Sequence, residues 1–239
     1  MSYCRIYTMK KLALCIHDLR ASDGEDARRK IETVQQRFHA PLTIHLICDR
    51  SLNDSFTAFL RKEIGAGRIE VAFHGTRHSC PKEVGRLLSF YHKHEAEYLA
   101  DSPELRAATT LAFSELEAKF AVRPGICPPC WLASRENARL FRSLKPVYVE
   151  AMLRMRREGK SRFSHIVSLG SPKRLELLGL RVFARLMRFM ASHSKEPRLR
   201  MAIHPCDFAI PESMQFFEDS FQALSDQGFK AVLLRELLP

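Results

Sequence analysis

The stretch Ile69 to Cys80, IEVAFHGTRHSC, decides how the chain is read. It begins as a short apolar strand and runs straight into His74, Gly75 and, four residues beyond the first imidazole, His78. Residues Arg68 to Phe73 alternate and then become continuously apolar, the pattern of a strand buried on both faces of a parallel sheet. Gly75 permits a sharp turn directly after it. If that turn opens a helix, His74 and His78 share one face and are close enough to hold one metal ion. With ten histidines in 239 residues, such a pair counts only in context, and two histidines leave an ion short of ligands. A second strand ending in a carboxylate is therefore needed.

Leu12 to Ile16, LALCI, is an apolar run of strand length that ends in His17-Asp18. A carboxylate and two imidazoles form a mixed oxygen and nitrogen set that suits zinc, with cobalt, iron or manganese also compatible. Asp18, His74 and His78 are thus the expected metal ligands. Three protein ligands leave an open position for water, whose proton is lost near neutral pH. That is the chemistry of a hydrolytic site rather than a structural one.

Working outward, the chain alternates strand and helix. A helix is expected near Asp26 to Phe38, with Ile31, Val34 and Phe38 on one stripe. A strand follows at Leu42 to Cys48, then a helix capped by Ser51 that stops at Gly65 or Gly67. Pro81 to Phe120 reads as two helices broken near Asp101-Ser102-Pro103, where serine and proline make a good helix start. A fourth strand, Ala121 to Ile126, runs into Pro128-Pro129-Cys130-Trp131, and Ser134 begins another helix. Apolar segments at Pro146 to Val149 and His165 to Leu169 precede a long helix from Pro172 to about His193. Leu199 to Ile203 then ends in His204-Pro205-Cys206-Asp207, before a helix from about Glu212 to Gln227 and a closing strand at Lys230 to Leu234. Seven or eight β/α units fit an α/β fold, a distorted barrel of parallel strands. Asp18, His74, Pro128 to Trp131 and His204 to Asp207 all follow the C-terminal ends of expected strands, where such a barrel carries its active site. Singly, each has a plainer reading: an aspartate as helix cap, His204 as a core histidine, Trp131 as packing.

Composition bounds the rest. A hydrophobic content of 46% supports one barrel-sized domain, residues 9–239, with residues 1–8 as an extension and Met9 as a possible start. No apolar run is long enough for a membrane span, and the short apolar stretch after Lys10-Lys11 lacks the length and cleavage site of a signal peptide. Seven cysteines at irregular spacing read as reduced thiols in a cytoplasm, and Cys127-Pro-Pro-Cys130 has no second pair to complete a zinc knuckle. The net charge of +11 favours anionic partners such as acidic glycans, phosphate-bearing molecules or nucleic acid. The basic run Arg154 to Lys160 (RMRREGK) and the scattered cations from Arg181 to Arg200 are not interleaved with aromatics, and read as solvated helix faces rather than a dedicated binding patch.

Together, HD after strand one, HGTRH after strand three, CPPCW after strand four and IHPCD near the C-terminus resemble the polysaccharide deacetylase (NodB-homology) superfamily, in particular the branch whose first motif is His-Asp. The resemblance spans residues 12–207. It implies a distorted (β/α) barrel with a divalent metal, usually zinc, on Asp18, His74 and His78, and removal of N- or O-acetyl groups from a sugar polymer or related molecule. It places the general acid on His204, which Asp207 is close enough in sequence to orient. His17 stands where the main family has an aspartate base, and can serve as base or bind substrate. Cys127 stands where the family commonly has an arginine, for which Arg20 and Arg123 are possible substitutes. Pro129 and Trp131 fall where substrate would bind, Trp131 to stack on a sugar ring or wall the pocket. The partner expected is a sugar-like or acetylated substrate, small or intracellular if the chain is cytoplasmic. Two further readings are another amide or ester metallohydrolase on the same barrel, and a non-enzymatic barrel that binds nucleic acid or an anionic polymer.

Overall fold

The computed structural model describes residues 9–79, 95–169, 189 and 197–238. The extension 1–8, most of the helix expected from Pro81 and, apart from Phe189, the long helix expected over 172–193 lie outside those residues; the described end of the former, 95–100, holds only a short 3-10 turn at Glu97–Leu99. What remains is the β/α succession that the alternation implies. It comprises β1 (Lys11–Arg20), α1 (Gly24–Phe38), β2 (Leu42–Ile47), α2 (Asp54–Gly65), β3 (Ile69–Phe73), α3 (Pro103–Phe120), β4 (Gly125–Ile126) and α4 (Arg135–Ser143). Then come β5 (Val149–Ala151), β6 (Arg154–Arg157), β7 (Lys160–Phe163), β8 (His165–Ser168), β9 (Arg198–Ile203), α5 (Pro211–Asp226) and β10 (Lys230–Val232).

The strands form one curved sheet in the order β7-β6-β5-β4-β3-β2-β1-β9-β8, with β10 added on β1. All pairings are parallel except the hairpins β5-β6 and β6-β7. Parallel strands joined by helices make the distorted barrel expected from the sequence. Between β7 and β8, Ser164 N–H bonds the Leu153 carbonyl at 3.1 Å, which extends the β6-β7 ladder by one pair. A side chain reinforces it. Arg200 on β9 is buried and donates to the carbonyls of Ala151, Met152 and Ser164 at 3.0, 2.9 and 3.1 Å.

Strand alternation sorts the side chains into two sets. Leu12, Leu14, Ile16, Leu42, Ile44, Leu46, Ile69, Val71, Phe73, Leu199, Met201 and Ile203 join the main apolar core with the helices. The intervening residues Ala13, Cys15, Ala72 and Tyr148 pack with Leu234, Leu237 and Leu238, which follow β10. Polar residues share that alternate register: His17, Thr43, His45, Glu70, Glu150 and Arg200 are all buried.

Several local expectations are corrected. Asn53, not Ser51, caps α2, its side chain accepting from Phe56 N–H at 2.7 Å. Strand four shortens to Gly125–Ile126 because Ala121 closes α3 in the left-handed conformation and Pro124 brings no N–H to a ladder. Gly125 also makes room for a neighbour, since a Cβ there would lie 2.2 Å from the buried Tyr148 ring. The basic run Arg154 to Lys160 is no helix face. It is the β6-β7 hairpin, turned by Glu158 and Gly159 at φ 47° and 78°, the positive angles of a two-residue hairpin loop.

Candidate metal centre

The first candidate ligand, Asp18, is placed by an irregularity in β1. Ile16 pairs with Ile44, but the next pair is Leu19 with Leu46, so three residues oppose two. Such a bulge re-aims side chains. Strict alternation would send Asp18 to the apolar side with Leu14 and Ile16. The bulge, with Asp18 at φ 56°, instead brings its carboxylate to the rim beside the inward His17.

The imidazoles arrive differently from the expectation. Up to residue 79 no helix has begun; residues 74–79 form an irregular loop, with Gly75 at φ 98° and His78 at φ 52°. His74 and His78 still converge. Asp18 Oδ1 lies 2.9 Å from His74 Nε2 and 3.0 Å from His78 Nε2. The loop is held by Glu97, a residue no sequence signal had marked. Its buried carboxylate accepts the N–H groups of Thr76, Arg77 and His78 at 2.7, 2.8 and 2.9 Å. Gly75 is required for that approach as well as for its φ, because a Cβ there would meet Glu97 Oε1 at 2.3 Å.

The donor chemistry fits a divalent ion. His74 Nδ1 lies 2.6 Å from the Cys127 carbonyl, which can only accept, so this nitrogen carries the proton. In the neutral ring Nε2 then presents its lone pair to a carboxylate oxygen, an arrangement that needs an electrophile between them. A metal ion is one and a second proton is another. Histidine held at Nδ1 by a carbonyl is the usual support of a metal-ligating imidazole. Burial alone would raise the Asp18 pKa, but its contacts with His74 and His78 hold it well below the ordinary carboxylate range. Burial lowers His74, whereas for His78 burial is outweighed by the Asp18 contact together with the nearby Glu95 and Glu97 carboxylates, which raise it. The three ligand atoms lie within 4.8 Å of one another.

Other expected residues gather around this set, with two exceptions. The His17 ring is buried, 5.2 Å from His74, 5.3 Å from His204 and 5.3 Å from Trp131 between centres. Burial and the neighbouring imidazoles of His45, His74 and His204 push its pKa well down. Asp207 is fully buried and accepts the backbone N–H of His204 at 2.7 Å, while His204 Nδ1 stands 3.8 Å from it. It therefore caps the turn that carries His204 and also faces the ring. Pro129 packs close to Gly75, and Trp131 Nε1 is buried without a hydrogen-bond partner among the described residues. Arg20 projects from the end of β1 and pairs with Asp49 at 3.4 Å. Arg123 precedes β4, at the opposite end of the strand from Cys127, and pairs with Glu117 at 3.0 Å; the structure does not bring it to the ligand set. Of the eight non-glycine residues with positive φ among those described, Asp18, His78, Cys130 and Trp131 all belong to this rim, the kind of place where strained backbone collects.

Beneath the rim lies a layer the sequence reading did not name. His45, Glu150 and Arg200 are buried polar residues at inward positions of largely apolar strands, a pattern visible in LTIHLI, VEA and RLRMAI. Glu150 meets His45 at 2.6 Å and Arg200 at 2.9 Å. Burial would raise its pKa, but those neighbours hold it down to about 2.

Comparison with known proteins supports the architecture. By sequence, no family model and no curated protein matches the chain. By structure, it is similar to a family 4 acetyl xylan esterase from Clostridium thermocellum in complex with cobalt (TM-score 0.58, 16% identity, 95% of this chain and 90% of that one). It is likewise similar to Puue allantoinase (0.63, 12%, 95% and 88%). A third likeness is BA3943, a CE4 family pseudoenzyme from Bacillus anthracis (0.60, 15%, 97% and 66%). At these identities the likeness is one of fold. The chain has the distorted barrel of the CE4, NodB-type polysaccharide deacetylases, as its motifs implied.

Proposed function

We propose that this protein is a metal-dependent hydrolase that removes acetyl groups from a sugar-like substrate. The convergence of His74 Nε2 and His78 Nε2 on one Asp18 oxygen, with His74 Nδ1 tied to the Cys127 carbonyl, carries the proposal. Asp18, His74 and His78 would hold the ion, zinc by the chemistry of the set, with cobalt, manganese or iron as other occupants. Bound there, a divalent ion supplies a Lewis acid for the acyl oxygen and lowers the pKa of a coordinated water to about 7.

The remaining work falls to the chain. Glu97 keeps the 76–78 backbone in the geometry that aims His78, and the Cys127 carbonyl keeps His74 in one tautomer. His204, set on its turn by Asp207 and 16% exposed at its side chain, is positioned to give and take the proton of the reaction; His17 is the second imidazole at hand. Trp131 and Pro129 wall the opening against which a sugar ring would lie. The peptidoglycan N-acetylglucosamine deacetylase and the chitin deacetylase among the structural neighbours favour an acetylated carbohydrate. A second reading, hydrolysis of a different amide, is favoured by Cys127 standing where the family has an arginine and by the likeness to an allantoinase.

The test is acetate release from N- and O-acetylated sugars, set against a panel of other amides and esters, with and without chelator. Chelator-sensitive acetate release, lost to background in the His74→Ala, His78→Ala double variant, is the expected outcome. Turnover of the other amides alone would move the assignment to the second reading. No turnover of either class by metal-loaded protein would leave a barrel without this chemistry.

A further inference from the structure

A second group of possible ligands lies inside the barrel, next to the first. His17, His45, Cys127 and Glu150 each offer one ligand atom, and these four atoms all lie within 4.8 Å of one another. The rings of His17 and His45 are centred 5.2 and 5.5 Å from that of His74. All four residues are buried, His45 and Cys127 completely. They come from the bulge of β1, the inner register of β2, the end of β4 and the middle of β5, so only the curvature of the sheet assembles them.

Their polar atoms are largely unspent. His45 Nε2 stands 2.6 Å from Glu150 Oε1, yet not in hydrogen-bonding geometry. His45 Nδ1, His45 Nε2 and Glu150 Oε1 are buried with no hydrogen-bond partner among the described residues. A buried polar atom left unpaired destabilises the fold, and three at one point call for an occupant. The neighbouring atoms are already engaged: Glu150 Oε2 is held by Arg200 at 2.9 Å, and the Cys127 carbonyl by His74. Glu150 and Cys127 thus each have one oxygen engaged elsewhere, while Glu150 Oε1 and the Cys127 sulfur stand in the shared group with the two imidazoles. A thiol and two imidazoles with one carboxylate select zinc over magnesium, calcium or manganese.

We propose that His17, His45, Cys127 and Glu150 bind a structural zinc ion. Binding releases the Cys127 thiol proton to solvent, leaving thiolate and carboxylate to match the charge of the ion. Four protein ligands close the coordination sphere, the mark of a structural site, whereas Asp18, His74 and His78 leave theirs open. The ion would tie β1, β2, β4 and β5 together across the interior. Cys127 then serves both centres, its carbonyl orienting His74 and its sulfur binding the inner ion. With His17 committed as a ligand, proton transfer falls to His204. The assignment stands independently of the deacetylase reading.

Metal content and cobalt spectra of protein made without a histidine tag test it. Wild type should carry about two equivalents of metal, and the His74→Ala, His78→Ala variant about one. Cys127→Ser should also keep about one. Loaded with cobalt, wild type and the double variant should both show a near-ultraviolet thiolate-to-cobalt charge-transfer band that Cys127→Ser lacks. Metal lost entirely from the double variant, no such band in wild type, or a band that survives Cys127→Ser would each overturn the proposal. Should Cys127→Ser not fold, His45→Gln takes its place in the metal count, with one equivalent expected and two overturning the site. Two equivalents in a wild type that hydrolyses nothing would sink the hydrolase reading and leave this site in place.

Discussion

The two faces of the sheet are built from the same strands and alternate residue by residue, yet they obey different physics. On the outer face, Leu12, Leu14 and Ile16 of β1 meet helices across an apolar core, where each side chain contributes through area removed from water and neighbours are broadly interchangeable. On the inner face, Cys15 and His17 of the same strand look towards His45, Glu70, Glu150 and Arg200, buried groups that are tolerable only in fixed mutual geometry. One face stabilises the fold, and the other spends part of that stability on holding a site. The bulge at His17-Asp18 marks where the second demand overrides the first.

Paired substitutions break the comparison most sharply. Arg200→Ala leaves Glu150 buried without its cation and should cost about 3–5 kcal/mol; Leu14→Ala should cost about 2–5 kcal/mol by opening a cavity. The two single losses overlap in size, so the cycle with Glu150→Gln separates the faces. In urea unfolding of metal-free protein, Arg200→Ala should couple strongly to Glu150→Gln, whereas Leu14→Ala should add to it within about 0.5 kcal/mol. Additivity in both cycles would mean that the inner layer is not a network.

A smaller effect is expected at the rim. Glu97→Ala removes the acceptor of three backbone N–H groups behind His78 and should weaken metal binding at the Asp18 set by about 10–100-fold. Metal titration with a competing chelator reads this directly. Unchanged affinity would show that the loop holds its shape without the carboxylate.

The smallest effect concerns pH. Burial raises the Glu70 pKa despite its contacts with Tyr148 and Arg235. Because the folded value lies above the unfolded one, its contribution is full below about 4.5 and is lost as pH rises through the folded pKa. Glu70→Gln should therefore gain stability relative to wild type as pH rises across that window, measured by denaturation midpoints at a series of pH values. A difference that is flat with pH would place the carboxyl's titration in solvent-like surroundings.

Much of this was legible in the chain itself. Apolar runs ending in His17-Asp18, His74 and His204 pointed to the barrel and to Asp18, His74 and His78 as a set that the fold does bring together, because strand periodicity and residue chemistry are local properties. Ser102 and Ser134 marked the starts of α3 and α4, where their side chains do accept the capping N–H groups. Where local signals misled, the reason is physical. The i, i+4 spacing of His74 and His78 suggested a helix, but a loop pinned by a carboxylate 19 residues on from His78 achieves the same convergence. Arg154 to Lys160 was read for charge when its alternation and Glu158-Gly159 turn already spelled a hairpin.

What the sequence by itself determined is the order of elements, the chemistry of the rim and the polar residues spaced along apolar strands. Only the tertiary structure decided that Asp18 turns inward at a bulge, that Glu97 backs the ligand loop, and that His17, His45, Cys127 and Glu150 meet. These are matters of register and closure between segments distant in the chain. A one-residue shift in strand pairing would send each of those side chains to the opposite face, and no local pattern fixes that shift.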